Sequence, residues 1–244
     1  MSNVIYVHDE ITHNSNAAEQ VLPILFSVFQ PKSIVDVGCG LGNWIAIAKK
    51  MNVDDVIGVD GSYVNRLLLK IDSREFVEQD LTKPFDLNRK FDLAICLEVA
   101  EHLPENSADG LVESLAKHAD VIVFSAAIPG QGGQNHINEQ WPDYWQVLFE
   151  KYDFEMIDFF RPKIWNNAKI ERWYRQNMFL VVKKGHNLSH QGSKEVLSLV
   201  HPELLSAIIA QNNKKTEQLQ TSIQKLVKRD LVGKISKLFK SKKK

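Results

Sequence analysis

Three glycines at alternate positions constrain the fold of this chain more than any other feature. They lie in the run D-V-G-C-G-L-G at residues 36–42, directly after the apolar residues 33–37. Glycine permits positive φ and lets the backbone lie against a ligand that a Cβ would push away. The flanking residues predict a strand over 33–37 and a helix over 44–50. Although a glycine triplet alone is a weak signal, this strand, turn and helix indicate a site for a nucleoside-type cofactor.

Three further strand-like runs follow at residues 56–60, 75–79 and 91–97. The last is almost entirely apolar, which is typical of a strand buried on both faces. Ligands of open α/β sheets bind at the carboxyl ends of the strands. Asp60, at the end of the second strand, is therefore predicted to accept from ribose hydroxyls. After the third strand, the Asp80 carboxylate is predicted to accept from the exocyclic amine of a purine, and Leu81 to pack against the face of its ring.

The motifs D-V-G-C-G-L-G, V-D-G, Q-D-L and F-D-L-A-I-C-L-E resemble, in order and spacing, those of the class I S-adenosylmethionine-dependent methyltransferases. The resemblance covers residues 33–184. It implies an enzyme with a Rossmann-like α/β fold, built on a doubly wound, mostly parallel, seven-stranded sheet. It also implies that S-adenosylmethionine is bound by Asp36, Gly38, Cys39, Gly40, Asn43, Trp44, Asp60, Gly61, Asp80, Leu81 and Leu97.

A second group of residues carries the chemistry. Glu98, Glu101 and His102 stand at i, i+3 and i+4, so a helix after the fourth strand would project all three to one side. His136 lies in a long glycine-rich loop after a strand predicted at 121–125, and that loop opens at the same edge. The set is similar to the metal centre of small-RNA 3′-terminal 2′-O-methyltransferases, and its first part to ubiquinone-biosynthesis O-methyltransferases. That resemblance implies Glu98, Glu101, His102 and His136 as ligands of a divalent metal. Two carboxylates and two imidazoles match Mg²⁺ or Mn²⁺ best, with Fe²⁺ and Zn²⁺ as alternatives.

A metal-free site is the alternative at this stage, because class I methyltransferases often carry an acidic residue and a histidine here without binding metal. His136 or His102 would then act as a general base toward an acceptor hydroxyl. The catalytic candidates in both versions are His136, His102 and Glu98, and metal dependence distinguishes the two versions.

Residues 136–145 mix hydrogen-bonding groups with three aromatic side chains, a composition suited to sugar rings. We predict Asn138, Glu139 and Trp141 as acceptor contacts, whereas Trp145 fits the core of a following helix. Arg175 is predicted to contact an acidic group of the acceptor, or else to pair with the acidic body of the protein.

The stretches A-A-I-P-G-Q-G-G-Q-N-H-I-N-E-Q-W, R-P-K-I-W-N-N and W-Y-R-Q-N are similar to bacterial methyltransferases of cell-surface glycan and polysaccharide biosynthesis. This resemblance implies methyl transfer to a sugar hydroxyl of a vicinal diol. The acceptor would be a glycan or a nucleotide-linked or lipid-linked sugar.

Two alternatives compete with that function. One is 2′-O-methylation of RNA ribose, and the other is a non-catalytic scaffold with the methyltransferase fold. Residues 1–212 carry 19 basic and 28 acidic side chains, against 11 and 2 in residues 213–244. A net charge of −9 on the body disfavours RNA, because phosphate binding requires a basic groove. The intact motif residues Asp36, Gly38 and Asp60 disfavour the scaffold.

The charge asymmetry also indicates the domain organisation. We predict an N-terminal helical segment over the cofactor site at 1–32, the methyltransferase domain at 33–184, a polar linker at 185–194 and a helical, amphipathic basic tail at 195–244. Pro202-Glu203 is a favourable helix start. A heptad-like seam follows, which is compatible with a homodimer: Leu205, Ile209, Asn212, Thr216, Leu219, Ile223 and Leu226. The basic end suits an anionic membrane face, an acidic partner or RNA.

The two cysteines, Cys39 and Cys96, do not form a disulfide framework. The first thirty residues do not resemble a signal peptide, and no apolar run is long enough to span a bilayer. We therefore expect a cytoplasmic protein, with peripheral contact at the inner membrane face through its basic tail.

Overall fold

The computed structural model describes the backbone of residues 15–241 and the side chains of residues 15–228. It divides into two compact units, residues 1–201 and residues 202–244. The first unit contains seven strands and six α-helices among its described residues, and the second is formed by one helix. The strands are β1 (Ser33–Val37), β2 (Asp55–Asp60), β3 (Phe76–Glu78), β4 (Leu93–Leu97), β5 (Val121–Ser125), β6 (Phe154–Ile157) and β7 (Phe179–Lys183). The helices are α1 (Asn16–Phe26), α2 (Asn43–Lys50), α3 (Ala108–His118), α4 (Pro142–Lys151), α5 (Arg161–Ile164), α6 (Arg172–Asn177) and α7 (Pro202–Ser241).

The seven strands form one sheet in the order β3-β2-β1-β4-β5-β7-β6. Strands β1 to β5 pair in parallel, whereas β7 pairs antiparallel with both β5 and β6. The predicted doubly wound, mostly parallel sheet is confirmed. Its parallel strands bring the carboxyl ends of β1, β2, β4 and β5 to one edge, and the site residues follow those ends.

Apolar residues cover both faces of the sheet because the side chains of a strand alternate between faces. In β1, Ile34 belongs to the cluster that includes Leu22 of α1 and Ile45 of α2. Its neighbour Val35 belongs to the other cluster, with Leu111 of α3. Burial on both faces explains why the central strands are continuous apolar runs.

Strand boundaries differ from the sequence predictions at the antiparallel edge. The apolar run at residues 154–160 predicts a strand through residue 160, but β6 ends at Ile157, and Asp158 pairs with Arg161 at the start of α5. The run at residues 176–182 predicts a strand from residue 176, but residues 172–177 form α6 and β7 begins at Phe179. Apolar content alone does not separate a strand from the short helix that precedes it.

The predicted linker is packed onto the first unit over part of its length. Leu188 and Ser189 are buried, and Ser193 bridges to Asp158. Helix α7 begins at Pro202, as predicted, and its seam residues Leu205, Leu219 and Ile223 are exposed. Within the described residues no helix has the length and apolarity to cross a membrane. Residues 1–14 of the predicted N-terminal segment, and the side chains of the basic end from 229, lie outside the described part.

Candidate active site

The glycine turn joins β1 to α2 in a conformation that requires glycine. Gly38, Gly40 and Gly42 have φ angles of 78°, 55° and 80°. A Cβ on Gly38 would lie 2.2 Å from Cγ2 of Val99. The turn is also fixed by backbone bonds, since the Gly38 amide donates to the Val59 carbonyl at 2.7 Å. The result is a rigid backbone surface at the carboxyl edge of the sheet.

Asp60 attaches this turn to the end of β2. Its Oδ2 accepts from the Gly40 amide at 2.7 Å, and its Oδ1 accepts from the Gly61 amide and the Tyr63 hydroxyl, both at 2.6 Å. Tyr63 is half exposed and covers the carboxylate that was predicted to bind ribose hydroxyls. Sequence reasoning missed Tyr63, although an aromatic residue three positions after Asp60 was a visible signal.

Asp36, at the end of β1, is 3% exposed, and its Oδ2 has no hydrogen-bond partner among the described residues. Burial, and then the nearby Asp60 carboxylate, raises its pKa to about 8. A buried carboxylate with an unused oxygen is costly unless it is protonated or meets a cation or a donor. This placement suits a ligand-binding carboxylate at the glycine turn.

The remaining predicted cofactor residues surround the same edge. Trp44 is buried in the first turn of α2, after Asn43, and contacts Tyr174 edge to face at a centroid distance of 5.5 Å. Cys39 is buried in the turn and Leu97 at the end of β4. Burial, and then Asp36, raises the pKa of the Cys39 thiol, so it is a small apolar group here.

Asp80 and Leu81 follow β3 at the edge of the same surface. The Asp80 carboxylate accepts from the Thr82 hydroxyl and amide, at 2.6 and 3.1 Å, and pairs with Lys83 at 3.2 Å. The Thr82 bonds hold the pKa of Asp80 below its usual range. Leu81 is buried, as expected of a residue that packs beneath a purine.

The chain does not form an α-helix after β4. Glu98 has a left-handed backbone, with φ of 54°, and only a 3₁₀ turn follows at Ala100–His102. The left-handed residue breaks the predicted helical face, although the Glu98 carboxylate still lies beside that of Glu101. The Glu98 carboxylate accepts from Asn177 Nδ2 at 3.1 Å and from Gln131 Nε2 at 2.9 Å. Sequence reasoning missed these two amides because neither is near Glu98 in the chain.

Glu101, His102 and His136 do come together. One ligand atom from each lies within 4.8 Å of the other two, and the two imidazole rings meet edge to face at 4.9 Å. The backbone carbonyl of Glu101 accepts from the amides of Ile137 and Asn138, at 2.8 and 3.0 Å, which ties the long loop to the turn. Three of the four predicted ligands therefore share one site, without Glu98.

The Glu101 side chain shows that this cluster suits a metal ion. It is fully buried, and neither carboxylate oxygen makes a hydrogen bond of good geometry among the described residues, although the Glu98 carboxylate and the Ala127 backbone lie close to it. Burial, and then the Glu98 carboxylate, raises its pKa well above its usual range. A carboxylate in such a place needs a proton or a cation, and two adjacent imidazoles supply further metal ligands.

The four predicted acceptor contacts differ in whether their side chains are bound within the protein. Trp141 is 37% exposed at the start of α4. Asn138 is buried beside Glu101, and its Nδ2 has no partner in the described structure. The carboxylate of Glu139 is bound within its own loop. Arg175 is buried and donates to the Trp165 carbonyl at 3.3 Å. Neither Glu139 nor Arg175 therefore presents its charge to an acceptor in this arrangement.

Comparisons with known proteins agree with the family and the fold. Residues 11–168 match the family described as Methyltransferase domain. The magnesium protoporphyrin IX methyltransferase of Arabidopsis thaliana chloroplasts is 28% identical over 102 residues. That match spans 40% of this chain and only a third of the plant protein.

Solved structures share the fold at low identity. The sugar N-methyltransferase KedS8 of Streptoalloteichus gives a TM-score of 0.57 at 16% identity, over 75% of this chain and 97% of KedS8. The methyltransferase domain of bacterial CtHen1-C gives 0.52 at 18% identity, over 70% of this chain and 99% of that domain. Streptomyces venezuelae DesVI gives 0.53 at 14% identity, over 73% of this chain and all of DesVI. With the family match, the glycine turn and the strand-end carboxylates, these likenesses show that the chain belongs to the methyltransferase-domain family and is an S-adenosylmethionine-dependent methyltransferase of class I fold.

Proposed function

We propose that the enzyme transfers the methyl group of S-adenosylmethionine to a sugar hydroxyl of a vicinal diol, in cell-surface glycan or polysaccharide biosynthesis, with the help of a divalent metal. The observation that carries this proposal is the cluster of Glu101, His102 and His136. Glu101 and His102 follow β4, His136 follows β5, and the neighbour of β4 on the other side, β1, leads into the glycine turn. An acceptor oxygen held at the cluster would thus lie on the cofactor side of the sheet edge.

The reaction requires an oxygen nucleophile and a proton acceptor. The acceptor oxygen attacks the methyl carbon, the carbon–sulfur bond breaks, and its electron pair remains on sulfur, which gives neutral S-adenosylhomocysteine. The hydroxyl proton must leave during attack, because a neutral alcohol is a poor nucleophile. In a metal-free site His102 or His136 would accept that proton, whereas with both imidazoles bound to an ion the proton of the acidified hydroxyl would pass to water. Asp36, with its unused oxygen in the glycine turn, would hold a cationic part of the cofactor.

A divalent ion bound to Glu101, His102 and His136 would lower the pKa of an acceptor hydroxyl and fix its oxygen toward the methyl group. One carboxylate and two imidazoles form a more nitrogen-rich set than the four ligands predicted from sequence. Mg²⁺ prefers oxygen ligands, whereas transition-metal ions, Mn²⁺ among them, also accept imidazole nitrogen. We therefore favour Mn²⁺ of the two predicted ions.

The surface next to the cluster favours a sugar over RNA. Ile137 and Trp141 are exposed on either side of the buried Asn138. Apolar side chains next to polar groups suit a sugar ring, because its faces are apolar and its hydroxyls form hydrogen bonds. Two arginines that could have supplied phosphate contacts are engaged within the protein. Arg161 is buried in a two-bond pair with Asp158, and the buried Arg175 donates to the Trp165 carbonyl.

We place the enzyme in the cytoplasm, where a glycan is assembled on nucleotide-linked or lipid-linked sugars. Its exposed helix α7, with the lysines of residues 213–244, supports contact with the inner membrane face or an acidic partner. The exposed seam of α7 also supports a homodimer.

The test has two stages. Isothermal titration with S-adenosylhomocysteine measures cofactor binding. Methyl transfer from labelled S-adenosylmethionine is then followed on glycan and RNA acceptors, with EDTA and with Mn²⁺ or Mg²⁺ added back. We expect transfer to a glycan that EDTA abolishes and Mn²⁺ restores. Methyl transfer that EDTA does not affect would mean that His102 or His136 acts as a general base without a metal. Preferred transfer to RNA would contradict the sugar acceptor.

A further inference from the structure

The loop between β5 and α4 holds a carboxylate that the proposed reaction does not use. Glu139 Oε2 accepts from the Gly130 amide at 2.7 Å. Its Oε1 accepts from the Gly132 amide at 2.7 Å and lies 2.9 Å from Nδ1 of His136. The side chain is only 19% exposed. Three neighbouring groups thus converge on one largely buried carboxylate.

This arrangement determines which nitrogen of His136 carries the hydrogen. A carboxylate accepts hydrogen bonds and has none to donate, and the bound backbone amides are fixed donors. Nδ1 of His136 therefore donates to Oε1, and Nε2 keeps its lone pair. Nε2 is the nitrogen that remains for an ion or an acceptor proton.

Gly133 fixes the plane of the same ring. A Cβ there would lie 2.1 Å from Nε2 and 2.5 and 2.6 Å from the two adjacent ring carbons. These nearly equal distances place Gly133 over the face of the imidazole. The lone pair of Nε2 lies in the ring plane, so Gly133 leaves it accessible. The loop thus holds His136 at its Nδ1 edge and on one face.

We infer that Glu139 is a positioning residue, which fixes the tautomer and orientation of His136 so that Nε2 joins Glu101 and His102. This inference rests on the proposed function for the role of the cluster. It reassigns Glu139 from an acceptor contact to a residue that acts through His136. Carboxylate partners of this kind set the ring orientation and basicity of metal-binding histidines.

The test compares Glu139→Gln with Glu150→Gln in the full-length chain. In either orientation of its amide, the glutamine turns its NH₂ group toward the backbone N–H of Gly130 or of Gly132, and two donors cannot bond each other. Glu150 is exposed on α4, and its carboxylate accepts a hydrogen bond from Gln146. Its variant therefore controls for loss of a negative charge. Imidazole ¹H–¹⁵N correlation spectra of the metal-free proteins report the tautomer. Mn²⁺ titration followed by electron paramagnetic resonance reports affinity, and S-adenosylhomocysteine titration reports the integrity of the cofactor site.

In the unsubstituted protein we expect one His136 tautomer, protonated at Nδ1. Glu139→Gln should mix the tautomers and weaken Mn²⁺ binding about 10- to 100-fold, with S-adenosylhomocysteine affinity retained, while Glu150→Gln changes nothing. An Nε2-protonated His136 in the unsubstituted protein would overturn the inference without any variant. Unchanged tautomer and Mn²⁺ affinity in Glu139→Gln would also overturn it. If the unsubstituted protein binds no Mn²⁺, the metal role fails, but the tautomer spectra still decide what Glu139 does.

Discussion

The cofactor side and the acceptor side of the site are held in place by different interactions. On the cofactor side, backbone bonds from the sheet fix the glycine turn, as from Gly38 to Val59. On the acceptor side, side chains from distant parts of the chain do this, as where Asn177 donates to Glu98 across 79 residues. The first arrangement is a rigid surface that tolerates little change. The second is adjustable, so a single substitution there can alter the chemistry while the fold remains.

The largest contrast is expected between two glycine substitutions, Gly38→Ala on the cofactor side and Gly130→Ala in the acceptor loop. Both glycines have positive φ, at 78° and 86°. A Cβ on Gly38 meets Val99, whereas a Cβ on Gly130 has nothing within 4 Å. Gly130→Ala should therefore cost only the left-handed conformation, about 1–2 kcal/mol. Gly38→Ala adds an overlap in a packed core and should cost about 3 kcal/mol or more.

Urea denaturation gives both free energies of unfolding, and titration with S-adenosylhomocysteine gives the binding loss. We expect Gly38→Ala to abolish cofactor binding and Gly130→Ala to preserve it. Equal effects of the two variants would show that the backbone angle, and not the contact with Val99, determines the cost. The supposed rigidity of the cofactor side would then lose its main support.

The next contrast lies within the acceptor side, between Glu101→Gln and Glu98→Gln. Glu101 is in the three-residue cluster, so its variant should weaken Mn²⁺ binding and methyl transfer by about 100-fold, through loss of a charged ligand. Glu98 is bonded to Gln131 and Asn177, so its variant should keep Mn²⁺ affinity within a few fold. Mn²⁺ titration of both proteins decides this. An equal loss in Glu98→Gln would restore the four-ligand centre predicted from sequence.

These two sides also differ in how well the sequence predicts them. The first strands, the glycine turn and the position of Asp60 follow from local periodicity and spacing, whereas the seven-stranded sheet follows from the resemblance of the motifs to a known family. The position of Glu98 follows from neither, because its left-handed backbone is stabilised by Ser125 on the next strand, which accepts from the Glu98 amide at 3.0 Å. No spacing rule contains that contact.

Glu139 illustrates the same limit. A glutamate at this position could bind either a sugar hydroxyl or groups of its own loop. Only the structure shows that the Gly130 and Gly132 amides donate to its carboxylate. Residues that bind their own loop cannot be distinguished in sequence from residues that bind a ligand. Three of the four predicted ligands, Glu101, His102 and His136, do come together, but nothing in the sequence indicates that Glu98 binds Gln131 and Asn177.

A smaller effect on cofactor binding is expected from Asp36→Asn, although this variant also changes how stability depends on pH. The folded protein keeps Asp36 protonated up to about pH 8, while an ordinary aspartate has a pKa of 3.8. The stability contributed by the protonated form is thus fully present below about pH 4 and is lost as the pH rises through 8. In the cofactor-free protein, the free energy of unfolding should fall by up to about 1.4 kcal/mol per pH unit over this window.

The amide introduced by Asp36→Asn cannot ionise, so the variant should lose that slope and should be the more stable protein at pH 8. It should also bind S-adenosylhomocysteine about tenfold more weakly, because the amide cannot offer a full negative charge to a cationic group. Urea denaturation from pH 5 to 8, with calorimetric titration at pH 8, measures both. Parallel pH profiles for the two proteins would show that the Asp36 carboxyl is already ionised in the fold.

The smallest effect is expected at the exposed end of the acceptor side, in Trp141→Ala. Trp141 is partly exposed and precedes α4, so its ring can cover one face of a sugar without supporting the core. Losing that contact should cost about 1 kcal/mol, a roughly fivefold rise in the KM for the sugar, with kcat and S-adenosylhomocysteine affinity unchanged. Trp141→Phe should recover most of the loss, and Val147→Ala, an exposed change on α4, should have no effect. An unchanged KM would place the acceptor elsewhere, whereas a fall in kcat alone would mean that Trp141 orders the loop that carries His136 and is not a surface for the sugar.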